Sequence, residues 1–288
     1  MIARLKRSLH FAGGVLAVVG VVFVLMRLWS YGAEINLSTF NFNWVAWTIV
    51  GILALVYGVS NLMLALAWRD LLRHFGISVT ARWAVWAYGV SQIAKYVPGN
   101  IFHLAGRQAL GAAAGLPQWP LAKSAVWELG LIAATGGVFG LLVLPVLTGY
   151  VSAALALALF IGVLIFAQGI LKWFWGRPIA HAFLWYGGFL LLSGAIFAGL
   201  LHWLAGPHVF ATGGRLILIG AYVLAWLAGL VTPGAPAGLG VRELVLFVLL
   251  SGSVGEAELL LAVVLGRFIT AMGDTLFFLA AHQIRSAK

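Results

Sequence analysis

Long apolar runs constrain the fold of this sequence more than any other feature. Seven of them approach or reach the roughly 20 residues with which a helix crosses a hydrocarbon core about 30 Å thick: 11–28, 44–67, 125–147, 151–167, 179–205, 216–232 and 259–281. With 63% apolar and only 8% charged residues, the chain lacks the polar surface of a soluble protein. The sequence therefore predicts an all-α polytopic membrane protein of about 7–8 transmembrane helices in a single domain over 1–288.

The first run could be mistaken for a secretory signal peptide, because three basic residues precede it: Arg4, Lys6 and Arg7. The run continues as far as Arg27 and Trp29 without a small-residue cleavage site. We therefore expect it to remain in the protein as the first span.

Basic residues at the ends of the runs predict the orientation. They precede the first run and follow the second, whereas the segment 30–43 between these runs carries only Glu34. The positive-inside rule then places the N-terminus in the cytoplasm. The same rule places the C-terminal Arg285 and Lys288 in the cytoplasm, yet seven full spans would put them outside. One further crossing, giving eight, would remove this conflict.

Net charge and residue usage exclude several classes of protein. The charge of +10 is concentrated at the ends of the runs, which favours anionic lipid headgroups as partners and leaves no basic, water-exposed domain for nucleic acid. The absence of cysteine excludes disulfides, thiolate metal sites and cysteine nucleophiles. No two histidines have the spacing of metal ligands on a helix, so we expect neither a metal nor a cofactor.

Two regions are apolar but interrupted by glycine, proline and charge, namely about 83–118 and 233–252. Interrupted helices are tolerated at membrane depth only where the freed backbone groups face protein or water, so both regions are predicted to be re-entrant segments. Arg107 follows Pro98 by nine residues, and Arg242 follows Pro233 by the same number. Paired interruptions in two halves of a chain are typical of the binding site of a transporter with an internal repeat.

The first interrupted region carries a basic constellation. Pro98, Gly99 and Asn100 are typical of a turn followed by a helix start, whose amides favour an anion. The positive charges of Lys95 and Arg107, together with the imidazole of His103, strengthen that preference: Lys95, Asn100, His103 and Arg107 are candidate substrate-binding residues. The alternative is a plain turn whose basic side chains reach lipid phosphates.

The second region is rich in glycine and proline. Its loop residues Pro233, Gly234, Gly238 and Gly240 suit a backbone that approaches a ligand closely or lines a cavity. Arg242 and Glu243 then begin a helix. The positive end of the helix dipole favours Glu243 and disfavours Arg242, so Arg242 needs a partner or an anionic ligand. The alternative is an interfacial loop with Arg242 on a lipid phosphate.

Four further charges interrupt the apolar runs: Lys123, Glu128, Arg267 and Asp274. A charge at the centre of a span costs at least about 2.5 kcal/mol on insertion scales, so such residues face partners or a water-filled cavity. Arg267 and Asp274 are two helical turns apart on one face, so we expect both to point at one shared interior. Glu128 and Asp274 are expected either to relay protons or to pair with an arginine: Arg107, Arg242 or Arg267.

The two interrupted segments resemble the signatures of the lysylphosphatidylglycerol synthase transmembrane region, also called the flippase-like domain family. Residues 95–107, KYVPGNIFHLAGR, resemble its first signature, and residues 233–243, PGAPAGLGVRE, resemble its second. Ala235, Pro236 and Ala237 lengthen the second signature, which leaves the conformation of its loop open. The resemblance covers nearly the whole chain and implies a domain that moves lipids between leaflets, in the bacterial or archaeal cytoplasmic (inner) membrane.

The resemblance implies translocation of an anionic or aminoacylated phospholipid or of a polyprenyl-phosphate-linked lipid. In some members a soluble aminoacyltransferase follows the membrane part. We expect no enzymatic activity from this chain, and a lipid-synthesising enzyme is a possible partner. Two alternatives stay open: a membrane glycosyltransferase or its accessory subunit using a polyprenyl-phosphate donor, and an ion-coupled transporter of small solutes.

Overall fold

The structure is a computed structural model that describes residues 44–96, 102–145, 149–206, 214–232, 238–250, 252 and 254–284. Several predictions fall outside these residues. They concern the first span 11–28, the N-terminal charges and Glu34, the two Pro-Gly pairs (Pro98, Gly99, Pro233 and Gly234), Asn100, and the C-terminal Arg285 and Lys288.

The regular structure of the described residues is helical. Its α-helices are α1 (Trp44–His74), α2 (Ala81–Gln92), α3 (Phe102–Ala113), α4 (Gln118–Val138), α5 (Ala153–Trp175), α6 (Arg177–Ala205), α7 (Gly214–Val231), α8 (Val241–Leu250) and α9 (Glu256–His282). Short 3₁₀ segments extend α2 over Ile93–Tyr96 and α4 over Phe139–Val143. The predicted all-α fold is confirmed.

Six of these helices are long and apolar enough to cross a membrane: α1, α4 with its 3₁₀ extension, α5, α6, α7 and α9. They match the six predicted spans that lie in the described part of the chain. Three boundaries differ clearly, since α1 continues to His74 rather than ending near 67, α4 begins at Gln118 rather than near 125, and α5 continues to Trp175 rather than ending near 167. Polar and aromatic side chains extend helices beyond the hydrocarbon core at the membrane interface.

The central helices of the bundle are α1, α6 and α9. Helices α1 and α6 are antiparallel: Tyr57 packs on Phe189 at mid-height with ring centroids 6.0 Å apart, and Arg73 lines the same groove as His181. Helix α9 runs parallel to α1, because Trp47 contacts Phe268 and, further along both helices, a side chain on Gly58 would meet Gly273. Small residues permit such close crossings in membranes.

One end of the bundle carries a cluster of basic residues. Trp127 of α4 contacts both Phe75 and Trp175, which brings the end of α1, the first half of α4 and the end of α5 together. We call this the basic end; its charges are Arg69, Arg73, Arg82, Lys172 and Arg177. From it, α4 runs to the other end, where Phe139 packs on Phe160 of α5.

Helices α2 and α3 form a hairpin that enters from the basic end and returns to it. Helix α2 begins after a short turn from α1, with the Thr80 hydroxyl capping it by accepting from the Trp83 amide. It rises as far as Lys95, which contacts Asp274 in α9. Helix α3 descends beside it, since a side chain on Gly106 would meet Ser91 and one on Gly111 would meet Leu121 of α4. The described residues of the region 83–118 therefore form a hairpin whose two ends lie at the same end of the bundle.

A second hairpin, α7 and α8, enters from the opposite end. Helix α7 is antiparallel to α6, with Tyr222 stacked on Phe197 and Trp226 against Phe189. Helix α8 starts beside Trp226 and returns along α7, and with 10 residues it is only about 15 Å long. The second interrupted region therefore forms the returning arm of a hairpin whose other arm is α7.

This second hairpin sets the direction of α9, on which the predicted side of the C-terminus depends. Because α7 and α8 together begin and end at the opposite end, α9 starts there and runs towards the basic end. His282 therefore lies at the same end as His74, the end that the positive-inside rule assigns to the cytoplasm. A count of seven full spans does not include the half-length helix α8, which returns the chain to the opposite end before α9 begins.

Candidate functional site

The inner ends of the two hairpins meet around a cavity at mid-height of the bundle. Tyr57, which lines it, is residue 14 of the 31 in α1, and Phe189, which also lines it and packs on Tyr57, is residue 13 of the 29 in α6. The polar lining comes from both hairpins and from α4, and includes Tyr88, Gln92, Lys95, His103, Glu128 and Arg242. Binding sites of transporters with broken helices lie at this depth.

The cavity has a volume of about 60 Å³. That space accommodates a phosphate or a small part of a headgroup but not a whole lipid. Any lipid that used it would keep its acyl chains elsewhere.

Beside the cavity, Arg107 and Glu128 form a buried ion pair. The Arg107 Nη1 donates to Glu128 Oε2 at 2.6 Å, and the Tyr88 hydroxyl donates to the other carboxylate oxygen at 3.0 Å. The guanidinium also lies over the rings of Tyr88 and Trp68, at 4.3 and 5.2 Å from their centroids. Arg107 thus balances the charge of Glu128, which itself lines the cavity.

Asp274 forms a second buried cluster. Lys95 Nζ lies 2.7 Å from its Oδ2, the Tyr96 hydroxyl donates to the same oxygen at 2.6 Å, and the Asn61 amide donates to Oδ1 at 3.2 Å. Asp274 is fully buried, and Gly58 and Gly273 make this possible by bringing α1 and α9 close together. The cluster fixes the inner end of the first hairpin to the middle of the bundle.

A third ion pair fixes the second hairpin. Arg267 Nε donates to Glu243 Oε1 at 2.6 Å, and Arg267 Nη2 donates to the carbonyl of Gly238 at 2.9 Å. One arginine of α9 therefore holds both the loop before α8 and the first turn of α8.

Arg242 differs from these cations because it has no carboxylate partner among the described residues. Its guanidinium lies 5.4 Å from the ring of Trp226, and its buried Nε has no hydrogen-bond partner in the described part of the chain. Gly229 and Gly238 hold it there, since a Cβ on Gly229 would come within 2.8 Å of Arg242 Cγ and one on Gly238 would meet the Gly229 Cα at 2.7 Å. Gly238 also has a φ of +69°, which other residues rarely adopt.

The local charge balance favours an anion. Four described cations surround the site (Lys95, Arg107, Arg242 and Arg267) with three carboxylates (Glu128, Glu243 and Asp274), so the difference is one positive charge. Each carboxylate has one of the other three cations as partner, which assigns the excess to Arg242. Burying an unpaired charge is costly, so an anionic group in the cavity would be stabilised.

Most of the predicted charged site residues that the structure describes line one of two neighbouring cavities. Lys95, His103, Glu128 and Arg242 line the main cavity, and Arg107 lies behind Glu128. Glu243 and Arg267 line a neighbouring cavity of about 20 Å³ that shares Arg242. Asp274 lines neither cavity and is connected to the main one by its ion pair with Lys95. Gly238 and Gly240 take positive φ angles at the start of α8.

Two predictions about the intramembrane charges are wrong. Asp274 pairs with Lys95 and not with an arginine, because the first hairpin places Lys95 next to α9. Arg267 and Asp274 have separate partners, and both lie among the charged groups that surround the cavity. Lys123 is exposed on α4, with its ammonium 5.4 Å from the ring of Trp119, so it faces outward near the start of the helix.

Sequence reasoning missed the aromatic and amide residues of the site. Tyr57, Tyr88 and Trp226 line or cover the charged groups, and Asn61 and Tyr96 bind Asp274. One signal was present, since Asn61 is a lone amide within an apolar run and such residues need an internal partner. The aromatic residues gave no signal, because aromatics are common throughout membrane helices.

Among known proteins, no family model and no curated sequence matches this chain, so the resemblance in its two interrupted segments remains a prediction.

Proposed function

We propose that this protein translocates a lipid with an anionic headgroup between the two leaflets, and that the headgroup phosphate binds in the mid-height cavity. The observation that carries the proposal is Arg242, a half-buried arginine without a carboxylate partner among the described residues, facing a small polar cavity. A phosphate is the group that a guanidinium binds best, through paired charge-assisted hydrogen bonds.

The two hairpins support transport rather than simple binding. One enters from each end of the bundle, and the cavity lies where their inner ends meet. Displacing one hairpin would open the cavity towards one leaflet, and displacing the other would open it towards the second, which is the geometry that alternating access needs. The small cavity suits a headgroup that crosses while its acyl chains stay in the lipid.

The roles of the side chains follow from their charges. Lys95, His103 and Arg242 would bind the phosphate, with Lys95 exchanging Asp274 for the ligand. Glu128 would contact a cationic group, such as the ammonium of an aminoacylated lipid, because it lines the same cavity. Glu243 and Arg267 would hold α8 in place. We propose no catalytic residue; the proposed setting is a bacterial or archaeal inner membrane, beside an enzyme that makes the lipid.

A leaflet-exchange assay tests the proposal. In proteoliposomes with a fluorescent phosphatidylglycerol, wild type is expected to accelerate exchange and Arg242→Gln to slow it by about tenfold to a hundredfold, the loss of a hydrogen bond to a charged group. Gly229→Ala should slow exchange as well, because the added Cβ displaces Arg242. Arg215→Gln, an exposed arginine of α7, is the matched control. Equal exchange by wild type and Arg242→Gln would contradict the proposal.

Asp274 supports a second candidate, an ion-coupled transporter of small solutes. A fully buried carboxylate held by a lysine, a tyrosine and an amide can exchange a proton with its neighbours as the cavity opens. This candidate predicts uptake that depends on a proton gradient and fails in Asp274→Asn. Leaflet exchange that is independent of the gradient would favour the first candidate.

A further inference from the structure

A second charged feature lies at the basic end, on the surface between α1 and α6. It is an open groove of about 460 Å³, lined at one end by Arg69, Asp70, Arg73 and His181 and at the other by Met63, Leu184, Trp185 and Gly188. None of these residues lines the mid-height cavity. We call it the α1–α6 groove.

The charged end of the groove has too few carboxylates for its cations. Asp70 is buried, and its Oδ1 lies 3.5 Å from Arg69 Nη2 and 3.4 Å from Arg73 Nη1. One carboxylate oxygen therefore serves two guanidiniums, at distances longer than the roughly 2.7–2.9 Å of a strong charge-assisted hydrogen bond. The buried Nε of Arg69 has no hydrogen-bond partner in the described part of the chain. A second anion would complete this group.

The groove changes character along its length. Met63 precedes Arg73 by ten residues, which is about 15 Å along α1, and Gly188 follows His181 by seven, about 10 Å along α6. Since α1 ends and α6 begins at the basic end, both displacements point towards the membrane centre. The groove is thus cationic at the interface and apolar at depth, the polarity of a phospholipid in one leaflet.

We propose that the α1–α6 groove binds one acidic phospholipid from the leaflet at the basic end. Its phosphate lies between Arg69 and Arg73, and the start of one acyl chain lies against Met63, Leu184 and Gly188. Trp185 lines the same apolar part of the groove. Charge complementarity selects an acidic headgroup, and the apolar half distinguishes a lipid from a free anion. The site does not depend on the translocation proposal.

Lipid retention by the purified full-length protein tests this proposal. Native mass spectrometry in detergent would measure binding of phosphatidylglycerol, phosphatidylcholine and glycerol 3-phosphate to the Arg242→Gln protein, in which phosphate binding in the mid-height cavity is expected to be weakened. We expect retention of phosphatidylglycerol alone, and affinity about fivefold weaker in Arg69→Gln and in Arg73→Gln, as for one cation at a membrane surface. Arg82→Gln, an exposed arginine at the same end, should bind as well as its parent.

A second variant separates lost binding from misfolding. Gly188→Leu leaves both arginines in place and fills the apolar half, since a Cβ there already lies 3.2 Å from Met63 Sδ. It should weaken phosphatidylglycerol binding without altering any charge. Equal retention of phosphatidylcholine, equal binding of glycerol 3-phosphate, or unchanged affinity in Arg69→Gln, Arg73→Gln and Gly188→Leu would each overturn the proposal. None of these results bears on leaflet exchange, which is measured separately.

Discussion

Arg107 and Glu128 show how two charged residues stabilise each other in an apolar interior. Arg107 is 3% and Glu128 5% exposed, and their 2.6 Å contact lies among the aromatic rings of Trp68 and Tyr88. Two buried charges this close repay much of each other's desolvation, whereas one alone would not. The pair therefore behaves as a unit whose halves cannot be removed separately.

A double-mutant cycle should reveal this dependence. Arg107→Met and Glu128→Gln are each expected to lower the free energy of unfolding by about 3–5 kcal/mol, because each leaves a buried group without its partner. The double variant should lose much less than the sum of the two. Unfolding in mixed detergent would give all four values. Lys123→Gln, on the same helix but exposed, is the control; additive losses would argue against a coupled pair.

At the scale of single residues, the sequence predicted which residues carry the buried charges better than it predicted how they pair. Glu128 pairs with Arg107, one of three arginines considered, whereas Asp274 pairs with a lysine that was not considered for it. Insertion cost requires a partner for each buried charge but does not choose among cations far apart in the chain. The choice depends on how deep each hairpin reaches.

Among the helices, the crossing of α1 and α9 decides where the site can form. A Cβ on Gly58 would lie 2.8 Å from the Gly273 carbonyl oxygen, and one on Gly273 would lie 2.6 Å from the Ala54 carbonyl oxygen. Only glycines allow this approach, and it places Asp274 within hydrogen-bond distance of Asn61. The next residue on α9 after the crossing is therefore the one that holds the first hairpin.

Substituting these glycines should separate the helices. Gly273→Ala and Gly58→Ala are expected to lower the free energy of unfolding by about 1–3 kcal/mol each, since the added methyl meets backbone rather than a flexible side chain. Gly51→Ala is the matched control on α1, because nothing lies within 4 Å of its Cβ. The measurement is the same detergent unfolding; equal stability of Gly273→Ala and Gly51→Ala would show that the crossing is looser than described.

At the scale of the whole molecule, the direction of α9 is the feature that the span count did not predict. Between the start of α1 and the end of α9, five helices run from one end of the bundle to the other: α1, α4, α5, α6 and α9. Each of the two hairpins returns to the end from which it enters, so neither adds a net crossing. Their presence brings His282 to the basic end, in agreement with the charge rule that the span count opposed.

Cysteine labelling can test this topology, because the chain contains no native cysteine. Ser78→Cys and Gln283→Cys replace exposed residues at the basic end, and Tyr150→Cys replaces one at the opposite end. With a membrane-impermeant maleimide, the first two should react from one side and the third from the other. Permeabilised membranes provide the control for reactivity. Labelling of Ser78→Cys and Gln283→Cys from different sides would contradict the direction of α9.

The sequence by itself determined the class of the protein, the six described spans and the two interrupted segments. These follow from local properties: apolar length, the effect of glycine and proline on a helix, and the cost of a buried charge. Only the tertiary structure decided that α7 and α8 form one hairpin, that Asp274 holds Lys95, and that Arg242 is left without a carboxylate partner among the described residues. Those outcomes depend on helix direction and depth, which arise from packing between segments distant in the chain and leave no local pattern.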